Sequence, residues 1–166
     1  PARHRQVEDS HVESAVSNRV QRIGAVGRFG DDFDVAGRFE NLAQPGAHEY
    51  ELEAALLHVF RRRGGSGPAY SPIVGSGENA TVLHYVENRD VLREGELVLI
   101  DAGVELHGYA SDVTRTYPVG GRFSGAARDV YQAVLSAQAA ASAAIAPGVT
   151  LPQMHGAALR ELVVGL

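Results

Sequence analysis

The sequence predicts an α+β fold, a small antiparallel sheet with helices on one face. Three observations predict it. An amphipathic run after Pro45-Gly46 reads as a helix, short apolar runs between Ser71 and Pro118 read as strands, and two further apolar-periodic stretches follow Ser124 and Thr150. Strands and helices are segregated along the chain rather than alternating, and there is no internal repeat.

Taken in order, residues 1–42 lack sustained periodicity, because Gly24, Gly27, Gly30 and Gly37 interrupt any helix, and they are expected to be weakly structured. From His48 the pattern changes. Leu52, Leu56, Val59 and Phe60 fall on one helical face, Arg61-Arg62-Arg63 occupies the C-terminal turn where cations suit the helix dipole, and Gly64-Gly65 closes it. Strands are expected at Ile73-Val74, Thr81-Val82-Leu83, Leu97 to Ile100 and Val113 to Tyr117. Ser124 suits the N-cap of a helix whose buried face would use Val130, Val134, Ala141 and Ile145, ended by Pro147-Gly148. Thr150 would cap a last helix carrying Leu151, Met154, Leu159, Leu162 and Val163. That helix meets no stop signal before the final residue, so the chain is expected to be cut within a domain.

At 166 residues and 45% hydrophobic, the chain is long enough for one domain with a real core and does not call for a second. A net charge of -5, with no basic cluster beyond the arginine triplet, argues against a nucleic-acid partner. The absence of cysteine excludes disulfides and thiolate metal sites, agrees with a cytoplasmic location, and leaves Asp, Glu and His as the metal ligands available. The opening residues are polar, and no stretch reaches the ~18 apolar residues of a membrane helix, so neither export nor insertion is expected. All basic residues are arginine, which suits a GC-rich coding sequence and has no mechanistic weight.

The chemistry concentrates in Leu97-Val-Leu-Ile-Asp-Ala-Gly103 and Tyr109-Ala-Ser-Asp-Val-Thr-Arg-Thr-Tyr117, where each strand sets a carboxylate among apolar neighbours. If these strands form a hairpin turning at Leu106-His107, Asp101 lies directly opposite Asp112. Like charges about 4.5 to 5.5 Å apart destabilise a sheet unless a cation neutralises them. Two divalent ions sharing such carboxylates would polarise a carbonyl and supply a nucleophile near neutral pH, which is chemistry for peptide hydrolysis. The same spacing also suits one aspartate capping a turn while the other pairs with Arg115 or stays solvated. His84 ends the run Ala80-Thr-Val-Leu83, at an expected strand terminus where a neutral imidazole can donate to a substrate or a tetrahedral intermediate. An ordinary core or surface histidine is the alternative. Gly75-Ser-Gly-Glu-Asn79 lacks the lysine and helix of a phosphate loop and reads as a tight loop, and His58, His107 and His155 show no ligand spacing.

Together, Ser71-Pro-Ile-Val-Gly-Ser-Gly-Glu-Asn-Ala-Thr-Val-Leu-His-Tyr85, Leu97 to Gly103 and Ser111-Asp-Val-Thr-Arg-Thr-Tyr-Pro118 resemble aminopeptidase P and its prolidase relatives, in that family's order and spacing, from about Ala43 to Leu166. The resemblance implies the first half of a pita-bread (creatinase/aminopeptidase-like) catalytic domain over residues 43–166, with 1–42 unmatched. It implies that Asp101 and Asp112 bind two divalent ions, manganese in aminopeptidase P, and that His84 contacts substrate near the scissile bond. The implied reaction is removal of an N-terminal residue that precedes proline.

The family completes its site with a histidine and two glutamates from the second half of the fold, so this chain is expected to bind metal weakly and to hydrolyse nothing alone. Residues 1–42 would fit an upstream frameshift in GC-rich DNA or a divergent extension. A prolidase-type dipeptidase and a non-catalytic pita-bread remnant that binds a peptide or protein are the competing functions. Self-association through an exposed half-domain face is expected as well.

Overall fold

The structure, a computed structural model, describes residues 41–165. The segment 1–42 thus lies almost wholly outside the described residues. Two compact units divide between Gly121 and Arg122.

In the first unit, helix α1 (Glu49–Arg62) follows Pro45-Gly46 as the sequence predicts. Glu51 accepts from the His48 N–H at 3.1 Å, satisfying one of the donors left free at a helix start. Leu52 and Leu56 are buried, and Phe60 packs beside them. Fully burying each such leucine contributes about 1.5 to 3 kcal/mol.

Strands β1 (Gly67–Pro68) and β2 (Ile73–Ser76) come next, then a 3-10 turn at Gly77–Thr81, then β3 (Leu97–Ala102), β4 (Val104–Leu106), β5 (Tyr109–Ala110) and β6 (Val113–Pro118). They form two three-stranded antiparallel sheets, in the orders β2-β3-β6 and β1-β4-β5, where the sequence predicts one. The break falls at Gly103. A Cβ there would lie 1.7 Å from the Ser111 carbonyl oxygen, so only glycine lets the two chains approach as β3 gives way to β4. Exposure alternates along β3. Val98, Ile100 and Ala102 join Leu52, Leu56, Val74 and Leu92 in the core, and Asp101 is left on the other face.

Thr81-Val82-Leu83 is not a strand. Thr81 ends the 3-10 turn, and Val82 and Leu83 are exposed: the Thr81 hydroxyl donates to the Glu78 carbonyl and the Val82 N–H to the Asn79 carbonyl, local turn bonds in place of a strand ladder, while Ser76, Asn79 and Tyr85 on either side bond to Glu49.

In the second unit, α2 (Gly125–Ala143) packs against α3 (Leu151–Gly165). Ser124 Oγ accepts from the Ala127 N–H at 3.3 Å, the expected cap. Before α3, the Gln153 side chain accepts from the Thr150 N–H at 2.7 Å, so Thr150 does stand at the helix start. The buried face of α2 is Ala133 and Ala137, while Val130 and Val134 are exposed, contrary to the sequence expectation. Small residues let helices approach closely: a Cβ on Gly165 would already meet Ala133 Cβ at 2.9 Å.

Candidate metal centre

The β3–β6 pairing sets Asp101 opposite Thr114 and Ala102 opposite Val113, so Asp112 falls opposite Gly103 and not opposite Asp101. The cause is the turn. His107 (φ 53°) and Gly108 (φ 83°) are its central residues, flanked by the pair Leu106↔Tyr109, which is the two-residue turn with both φ positive that suits a twisted hairpin. The expected turn at Leu106-His107 is one residue early, and moving a turn by one residue moves the register by two. An even shift keeps faces, so both aspartates still project from the same side as diagonal neighbours.

Tyr70 brings them together. Its hydroxyl lies 2.6 Å from Asp101 Oδ1 and 3.0 Å from Asp112 Oδ1. Tyr70 sits between β1 and β2, where the Ala69 N–H donates to the Gly103 carbonyl at 2.8 Å and fixes the chain beside the hairpin. Its ring edge would lie 3.0 Å from a Cβ on Gly103. Burial first, and then the two carboxylates, hold the Tyr70 phenol well above the usual tyrosine range, so it remains an O–H donor. Nothing in the sequence singles out Tyr70 except its place one residue ahead of the Ser71 block.

One hydroxyl carries one hydrogen, so the three converging oxygens share a single donor. Among the described residues neither aspartate is paired with an arginine, and Arg115 instead donates to the Thr114 carbonyl at 2.7 Å. Oxygen donors aimed at a common point without a cationic partner fit a hard divalent ion in kind. They fall short in number: among the described residues no three Asp, Glu, His or Cys side chains cluster closely enough to hold a metal.

His84 lies in the turn after Val82 and Leu83, not at a strand terminus. It is exposed, its φ is +58°, and no hydrogen bond joins its ring to either aspartate. The segment that carries it is tied to buried Glu49 and Asn88. Neither residue stands out in the sequence, because their partners are remote in it.

Comparison with known proteins bears on the fold and the family. The described fold is that of pita-bread aminopeptidases: aminopeptidase PepP of Pseudomonas aeruginosa superposes with a TM-score of 0.77 at 45% identity, over 80% of this chain and 30% of that one. A variant of Escherichia coli aminopeptidase P in complex with substrate superposes with the same score at 44% identity and the same coverage. The chain belongs to metallopeptidase family M24, whose sequence pattern matches residues 33–165. It is 46% identical to the Xaa-Pro aminopeptidase of Escherichia coli K12 over 123 residues, 74% of this chain and 28% of that protein. It is 41% identical to human Xaa-Pro aminopeptidase 3 over 136 residues, 82% and 26% of the two chains. The chain therefore spans less than a third of the length of these relatives.

Proposed function

We propose that residues 43–165 carry part of a two-metal Xaa-Pro aminopeptidase centre, in which Asp101 and Asp112 hold divalent ions, manganese by the resemblance, and His84 contacts the peptide. The observation that supports this most is the convergence of both carboxylates on the Tyr70 hydroxyl, in a chain of a metallopeptidase family. Bound divalent ions would act as Lewis acids toward the scissile carbonyl and lower the pKa of water.

The chain's own residues do the rest. β3 and β6 fix the spacing of the carboxylates, and the Tyr70 O–H orients one of them while leaving the other free to bind. The exposed His84 imidazole donates to the carbonyl oxygen of the residue before proline, where negative charge develops. The substrate is a peptide with proline second, and a cytoplasmic location belongs to the same reading. No described helix is long and apolar enough to cross a membrane. The two carboxylates found among the described residues are far from the roughly six donors that each hard cation takes, so the 166-residue chain alone is expected to hydrolyse nothing.

A chimera tests the function directly. Residues 43–165 are put in place of the matching part of the Escherichia coli enzyme, and release of the N-terminal residue from an Xaa-Pro peptide is followed with Mn2+. Activity that Asp101→Asn abolishes is expected. A folded chimera that binds Mn2+ and peptide but leaves the bond intact would favour the second reading, a peptide-binding module, which the shortage of donors among the described residues also suits.

A further inference from the structure

We propose that Glu49 is a positioning residue for His84, its buried carboxylate holding the segment Ser76–Asp90 in the turn that presents the histidine. This rests on the reading of His84 given above.

Glu49 opens α1 and is fully buried. Five donors converge on it. Oε1 accepts from the Ser76 N–H at 2.7 Å, the Ser76 hydroxyl at 2.9 Å and the Asn79 amide at 3.2 Å. Oε2 accepts from the Tyr85 hydroxyl at 2.8 Å and the Asp90 N–H at 3.0 Å. The partners span both ends and the middle of one segment, and the Glu49 N–H closes its base by donating to the Asp90 carbonyl at 2.9 Å.

The segment needs such a hub. Its own regular structure is one short 3-10 turn, and it contains two non-glycine residues in the left-handed region, His84 (φ 58°) and Asn88 (φ 44°). Side chains adopt that conformation only where the surroundings hold them in it. Asn88 has its own supports, accepting from the Val74 N–H at 2.9 Å and donating to the Pro72 carbonyl at 2.9 Å. Among the described residues His84 has none, and its neighbour Tyr85 is the link from it to Glu49. Without that link, Thr81-Val82-Leu83 has an apolar, β-branched composition that favours extended backbone.

A carboxylate suits the place because both of its oxygens accept. Glutamine has the same shape, but its NH2 group would face a backbone N–H in either orientation, Ser76 in one and Asp90 in the other.

Amide exchange and His84 imidazole NMR on the full 166-residue chain test this. In Glu49→Gln, amides of residues 76–90 are expected to exchange roughly tenfold faster or more, while β3 and β6 amides keep their protection. The His84 ring signals should move toward those of free histidine. Tyr85→Phe removes one donor and keeps the ring, so it should act in the same direction with a smaller size, and it carries the test alone if Glu49→Gln does not fold. Unchanged exchange and unchanged His84 signals in either folded variant would overturn the proposal. So would protection lost equally from β3 and β6 in Tyr85→Phe, since Glu49 would then support the core as a whole. Adding the peptide Ala-Pro-Ala to the wild type separates the two readings. A silent His84 beside a loosened segment in the variants would remove the substrate contact and leave Glu49 as the holder of the turn.

Discussion

Tyr70→Phe removes a hydroxyl and keeps a ring packed close to Gly103, which isolates what the hydroxyl does for Asp101 and Asp112. Groups that orient metal ligands typically contribute a factor of 10 to 100 in affinity. In the chimera, Tyr70→Phe is expected to weaken Mn2+ binding by roughly that factor, read by calorimetry, with the melting temperature little changed. Equal affinity would make the hydroxyl a bystander. Gly103→Ala acts through the backbone instead. Its methyl group would have to displace the Ser111 carbonyl, next to Asp112, and overpacking of this kind costs about 1 to 3 kcal/mol or more. Thermal denaturation should show that loss, and a variant as stable as the wild type would mean that the hairpin opens there without strain.

Among the elements, α1 was legible because its apolar spacing and its Gly64-Gly65 stop are local signals. The hairpin was legible in its strands and face, and not in its register. His107-Gly108 satisfies a turn with two positive φ values, yet the alternating strand pattern is equally compatible with a turn one residue earlier. In the alanine-rich α2 the apolar spacing favours a buried face of Val130, Val134, Ala141 and Ile145, whereas the buried residues are Ala133 and Ala137, with Val130, Val134 and Ile145 exposed. Thr81-Val82-Leu83 has the composition of a strand and is none for a different reason: the segment around it is held by partners, Glu49 first among them, that are remote in sequence, and no local propensity reports them. Asp101, Asp112 and His84 could be picked out as candidates, while Tyr70, which joins the two carboxylates, could not.

The same segment sets a pH dependence. Burial, then the hydrogen bond to Glu49, pushes the Tyr85 phenol up from its ordinary value. Below about pH 10, the usual tyrosine value, folded and unfolded chains both hold this proton and the stabilisation is complete. As pH rises further the unfolded chain ionises first, so stability falls. Denaturant titrations between about pH 9 and pH 11 should show that decline, and Tyr85→Phe should be less stable at neutral pH with a shallower alkaline loss. An equally steep loss in the variant would assign the decline to other groups.

Across the chain, the core lies in the first unit, and the helix pair carries large apolar side chains in water: Val130, Val134, Leu159, Val163 and Val164 are all exposed. Apolar surface of this kind promotes association. Sedimentation velocity is expected to show concentration-dependent self-association of the 166-residue chain, reduced by Val134→Glu. A monodisperse monomer at every concentration would show that this surface is tolerated in water.

Titration of Mn2+ into the 166-residue chain, wild type beside Asp101→Asn and Asp112→Asn, tests most directly whether the two carboxylates form part of a metal centre. Weak binding is predicted for the wild type, with a Kd on the order of 10⁻⁴ to 10⁻³ M as befits a site with few ligands, and loss of that binding in each variant. Equal binding by all three proteins would place the ion elsewhere and contradict the assignment.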